Sequence, residues 1–140
     1  MSLNESTVDS SGMEVLDRAE CLRLLGGALL GRIVFTDRAL PAVLPVTFVL
    51  SGGIILVRVV EGGVLAEATN DAVVAFEVDS FDPLAMCGWS VIAVGRTRSA
   101  HPRERVAAEH LRRWAPHRAD RLIAIIPRLL NGRRLRGVIG

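Results

Sequence analysis

The chain is 140 residues long, half apolar and 4% aromatic, with two cysteines and a net charge of +2. That length suits one domain with a real core, and no apolar run reaches the roughly 18 residues of a membrane span. All 17 basic residues are arginine, which excludes Schiff-base and lysine-nucleophile chemistry.

The charge is unevenly placed, with 12 arginines against three acids from Arg96 onward and five against 12 before it. Such asymmetry reads as a self-complementary fold or dimer, an anionic ligand, or a nucleic-acid surface. An apolar content this high with so few aromatics points to surface buried in an oligomer as well as a core. Cys21 and Cys87 lie far apart and no signal peptide precedes them, so two buried, reduced thiols in a cytoplasmic protein are expected.

Residues 1–12 are polar and aperiodic and read as a disordered lead, leaving 13–140 as a single domain. Asp17 and Glu20 have capping-box spacing and open a helix whose stripe is Cys21, Leu22, Leu24, Leu25, Ala28 and Leu29, weakened at Gly26-Gly27. Gly31–Thr36 and Ala42–Leu50 then read as a hairpin, with Pro45 marking an edge or bulge. Ser51-Gly52-Gly53 turns the chain into Ile54–Val60, and Val64–Thr69 has the length of one helical turn.

Two apolar, β-branched runs follow, Ala72–Val78 and Trp89–Val94, joined by an acidic connection containing Pro83. Both are apolar at nearly every position, so both faces are expected to be covered, one by the domain and the other by a second subunit. His101-Pro102 starts a helix to about Arg113, Leu122–Ile126 is a strand stopped by Pro127, and Asn131-Gly132 turns into a last strand over 133–139. Connections this short exclude βαβ crossovers, so the sheet is expected to be antiparallel and closed into a small barrel.

No protein-only active site emerges. Gly88-Trp89-Ser90 begins like a nucleophile elbow, but Ile92 replaces the closing glycine and a strand replaces the helix. His101, His110 and His117 have no zinc spacing with either cysteine. Glu77 and Asp79 share one face of a strand, where a carboxylate pair serves acid–base work or simply sits at a solvated or interface surface.

The ordered set GRIVFTD, LPVTFVL, IILVRV, VVAFEVDSFDPLAMCGWSVIAVGRTR, RRWAP and IIPRLLNGRRL resembles the pyridoxamine 5′-phosphate oxidase-like proteins, over Leu22 to Arg134. The resemblance implies a six-stranded antiparallel Greek-key split β-barrel with flanking helices. It also implies a homodimer holding FMN between its subunits, and flavin-dependent oxidoreduction of a small molecule. The cofactor would carry the redox chemistry, the protein supplying binding, orientation and electrostatics. By position, Arg58 matches the arginine that pairs with the flavin phosphate. Pro45, Val46 and Thr47 match the strand bordering the ring, Trp89 and Ser90 the segment beside it, and Trp114 a tryptophan reaching across from the partner.

Val59 and Val64 stand where the family commonly has a threonine and a lysine on the phosphate, and Glu61 lies close by. The chain also ends soon after Gly132-Arg133-Arg134-Leu135, without the longer C-terminal segment of true pyridoxamine phosphate oxidases. These departures disfavour vitamin B6 oxidation. They leave room for a deazaflavin in place of FMN, or for a split barrel that has lost its cofactor and binds another ligand or a protein. The basic C-terminal third lacks the interleaved aromatics of a nucleic-acid surface.

Overall fold

A computed structural model describes residues 8–111 and 119–137. Its strands are β1 (Glu14–Leu16), β2 (Leu30–Asp37), β3 (Leu40–Ser51), β4 (Ile54–Val60), β5 (Val73–Asp82), β6 (Cys87–Ser99) and β7 (Asp120–Arg136). The helices are α1 (Arg18–Gly26), α2 (Val64–Ala68) and α3 (Pro102–Ala107). Six strands run in the order β7-β4-β3-β2-β5-β6, and β6 pairs back onto β7, closing an antiparallel ring. This is the expected six-stranded split barrel, with the short β1 added along β7 as a seventh strand.

Alternation explains which side of each strand faces in. Ile33, Phe48, Ile55, Val57, Phe76, Val91, Ala93 and Ile125 point into one core, with Phe48 and Phe76 edge to face at a centroid separation of 4.8 Å. A second, smaller cluster lies outside the ring, where Ala108, just past α3, covers Leu56, Leu122 and Ala124. Elsewhere on the outside of the ring, Val43, Ile92 and Leu129 are 42–58% exposed, with no such cover among the described residues.

The chain's C-terminal part departs from the sequence reading. Leu122–Ile126 and the last strand are one continuous strand, β7. Pro127 does not stop it, because a bulge in the β6–β7 register at Val94/Gly95 places Pro127 opposite Gly95 and absorbs its missing N–H. Asn131 and Gly132 are not a turn either, being paired with Ile92 and Val91. A Cβ on Gly132 would meet Cys21 Sγ and Leu16, so that glycine lets α1 and β1 approach the sheet closely.

Other bounds shift for local reasons. α1 ends at Gly26 with Gly27 as its C-cap, and Asp17 accepts from the Glu20 N–H at 2.8 Å. The Glu20 side chain turns outward to Arg23 and to Arg134 of β7, at 2.8 Å for the latter. α3 stops at Ala107, short of the expected Arg113, and 112–118 lie outside the described residues. Within the expected lead, Asp9 accepts from the Ser11 and Met13 N–H groups and pairs with Arg133 at 2.6 Å. Cys21 is buried as expected, whereas Cys87 is exposed, and both thiols are free.

Candidate functional site

β3, β4 and α2 frame an open groove of about 340 Å³. Pro45 and Val46 supply one wall, Val59 and Val60 the floor, and Val64 and Leu65 the other wall, with Arg58 at the rim. Local structure explains the shape. A turn at Glu61-Gly62, with Gly62 at φ 76°, reverses the chain so that α2 folds beside β4. The lining is apolar apart from one guanidinium, which suits a flat aromatic ring far better than a sugar or a charged chain.

Arg58 is already engaged. Its Nε donates to the Leu111 carbonyl at 2.9 Å and its Nη2 to the Ala108 carbonyl at 3.1 Å. The Asp120 carboxylate lies 3.5 Å from Nη1. The side chain thus ties β4 to the end of α3, and the remaining N–H groups of the five-donor fork are what an anion could use. Both valines that replace polar residues of the resemblance, Val59 and Val64, line this same groove.

Of the other expected site residues, Thr47 sits two pairs beyond Pro45, opposite Leu30. Trp89 and Ser90 line a separate groove of about 250 Å³, with Asp79, Phe81 and Arg133. They are three strand spacings from Pro45, about 14 Å across the sheet. Neighbouring strand residues face opposite ways, and Trp89 packs against the core while Ser90 turns outward between Asp79 and Arg133. A single chain therefore brings Pro45, Val46 and Arg58 together and leaves Trp89 and Ser90 apart from them. Trp114 lies outside the described residues.

Between the two grooves lies a cluster not assembled by the sequence reading. Arg32 Nη1 is 3.3 Å from Glu77 Oε1 and 3.2 Å from Asp79 Oδ2. Burial together with the neighbouring Asp79 carboxylate outweighs Arg32 and pushes the Glu77 carboxyl up to about 7. The carboxylate pair was legible from its spacing. Its cation was not, because Arg32 belongs to a strand 45 residues earlier.

Residues 17–134 match the family model described as pyridoxamine 5′-phosphate oxidase. An uncharacterized protein of Mycobacterium tuberculosis, Rv0080, is 36% identical over 127 residues, covering 86% of this chain and 84% of its own. The FAD binding protein from Mycobacterium smegmatis superposes with a TM-score of 0.70 at 31% identity, covering 89% of this chain and 99% of that one. A FAD-binding protein from Mesorhizobium loti shares the fold at 18% identity, with a TM-score of 0.74 over 87% of this chain and 97% of that one.

Proposed function

The chain belongs to the pyridoxamine 5′-phosphate oxidase family, and on that premise we propose that it is a flavin-dependent oxidoreductase working as a homodimer on a small molecule. The observation that carries this reading is the apolar β3–β4–α2 groove with Arg58 at its rim. Pro45, Val46, Val59 and Leu65 would hold the flat ring, and the unused N–H groups of Arg58 would meet the phosphate. The flavin, once bound, supplies hydride or electron transfer, and the chain's task is to hold it and keep water from the ring. FMN is the form implied by the family resemblance. FAD is the alternative favoured by the M. smegmatis relative, and a deazaflavin is the third form to test.

Two subunits complete such a site. Trp89 and Ser90 lie about 14 Å away on the same chain, so a partner's copy would have to close the β3–β4 groove. The outward surface of β2, β5 and β6, with Leu30, Val73 and Ile92 42–59% exposed, is where that partner would sit.

A second reading has its own support. Arg58 already satisfies two carbonyl oxygens of the α3 end, and Val59 and Val64 offer no hydrogen bond. A cofactor-poor barrel that takes an apolar ligand or a protein partner in the same groove fits those facts. The absorbance spectrum of the purified protein, followed by fluorescence titration with FMN, FAD and a deazaflavin, decides between the two. Flavin bands at about 370 and 450 nm, or micromolar quenching by one of the three, support the oxidoreductase. A colourless protein unresponsive up to about millimolar cofactor, where binding is worth only about −4 kcal/mol, leaves the cofactor-free reading.

A further inference from the structure

We propose that the Arg32–Glu77–Asp79 cluster makes pairing between two copies of this chain depend on pH, the pair forming tightly only when Glu77 holds a proton. The inference rests on the homodimer reading given above and adds its regulation.

The geometry starts from sheet register. Pro45, Arg32, Glu77 and Ile92 form one cross-strand row over β3, β2, β5 and β6, continued by Asn131 on β7. The adjoining row on one side is Val43, Val34, Ala75, Val94 and Leu129. Thr47 with Leu30 on β3–β2, and Asp79, Ser90 and Arg133 on β5–β7, lie on the other side. Because the ring curves, the part of these rows that shares one outward face is that on β2, β5 and β6, where Leu30, Val34, Ala75, Ile92 and Val94 surround the charged cluster.

That cluster holds one cation and two carboxylates. Fully ionised it carries a net charge of −1, and with Glu77 protonated it is neutral. Covering it with a second apolar face removes water from whatever charge remains, at a cost of several kcal/mol per uncompensated ion. The neutral form is the one that such a face accepts. Because it carries its own counter-charge, it asks for no charged partner. A second copy, bringing the same neutral cluster and apolar rows, is the occupant that this surface fits.

Among the described residues, the surroundings hold nothing else that would neutralise Glu77. From β2 the only charged group facing it is Arg32, and β3 offers Pro45 beyond. On β6 the residue opposite is Ile92, with Ser90 next to it, and β7 contributes Asn131. Arg133, one row away, is engaged with Asp9 at 2.6 Å, and Arg96, at the far end of β6, with Asp71 at 3.2 Å. Glu77 already titrates near 7 in the single chain. Covering the face raises that value further, so pairing takes up protons, one per subunit.

The sign follows. Below the single-chain value both states hold the proton and affinity is flat. Above it the free chains have released a proton that the pair still needs, so pairing weakens as pH rises.

The test is sedimentation equilibrium of the full chain across pH 6 to 8. The dissociation constant is expected to rise about tenfold or more over that interval, the limiting slope being two protons per pair. Glu77→Gln is expected to pair tightly with no pH dependence, and Asp79→Asn likewise, since Arg32 and Glu77 then form a neutral pair at every pH tested. A wild-type dimer with the same affinity at pH 6 and 8 overturns the inference and leaves the homodimer intact. Unchanged pH dependence in Glu77→Gln also overturns it, placing the titration elsewhere. A monomer at every pH and concentration overturns the homodimer reading itself.

Discussion

Arg58 Nε donates to the carbonyl of Leu111 at 2.9 Å, so the arginine proposed to meet a flavin phosphate fastens β4 to the chain following α3. Its side chain is only 17% exposed. Arg58→Ala is therefore expected to lower stability whether or not a flavin binds, by about 2–3 kcal/mol or roughly 5–10 °C in Tm. A melting curve without cofactor reads that part. The phosphate part is read separately, by the preference for FMN over riboflavin, which has no phosphate. That preference is expected to collapse in Arg58→Ala and to survive in part in Arg58→Lys, which keeps the charge and loses the fork.

Val64 lies on the groove wall at 52% exposure, so a longer side chain there meets solvent rather than core. Val64→Lys would restore a cation at the position where the family resemblance expects one. A charge-assisted hydrogen bond of about 1.5–3 kcal/mol corresponds to roughly tenfold or more in FMN affinity. Fluorescence titration of the variant against wild type measures it. Unchanged affinity would mean that the phosphate does not reach α2.

Most of the barrel was legible because its cause is local. Alternation in GRIVFT, VTFV and VVAFEV, with short Gly- and Asp-bearing connections, dictates antiparallel strands whatever else the chain contains. The C-terminal strand was misread where punctuation residues serve packing instead. Pro127 falls at a bulge, and Gly132 lies under Cys21 and Leu16; neither neighbour is visible along the sequence. The site was half legible for the same reason. Arg58 and Pro45 could be placed on their strands, but the bonds from Arg58 to Ala108 and Leu111 span 50 and 53 residues. Likewise the upward shift of the Glu77 carboxyl depends first on burial, which no spacing rule supplies.

The β2–β3 turn is strained in a way that suggests a gain. Arg38 and Ala39 both have positive φ, 51° and 65°, in a two-residue connection that favours Asn-Gly. Neither residue type adopts that region readily. Ala39→Gly is expected to raise stability by about 0.5–1 kcal/mol, because relief of the strain exceeds the added entropy of the unfolded chain. Chemical denaturation detects it as a higher midpoint with an unchanged slope. A lower midpoint would show that the turn holds no strain worth relieving.

Gly95 is the opposite case. It sits at the β6–β7 bulge, where a Cβ would collide with the Ile126 carbonyl and crowd Pro127. All of these contacts are with backbone atoms of β7, which leaves nothing flexible to yield. Gly95→Ala is expected to open the seam that closes the ring and to cost about 3 kcal/mol or more. The measurement is hydrogen exchange along β6 and β7 beside a melting curve. Full protection at Val94 and Ile126 would mean that the bulge accommodates a side chain.

Stability against pH should show two limbs of opposite sign. Glu104 accepts from Arg98 Nη2 at 2.9 Å and from the His101 N–H at 2.8 Å, and the Arg98 bond above all holds its carboxyl down at about 2. A depressed carboxyl stabilises the fold above its ordinary value of 4.5, and that contribution is lost as pH falls from there toward 2. Glu77 acts the other way. Its folded value of about 7 lies above the ordinary 4.5, so the folded chain holds a proton that the unfolded chain releases between those values. Stability from this group therefore declines as pH rises from about 4.5 to 7 and is level above. Melting curves at a protein concentration that keeps the chain monomeric should show Glu77→Gln removing the upper decline and leaving the acid limb in place. Glu104→Gln should weaken the acid limb alone. An upper decline that persists in Glu77→Gln would assign it to another group.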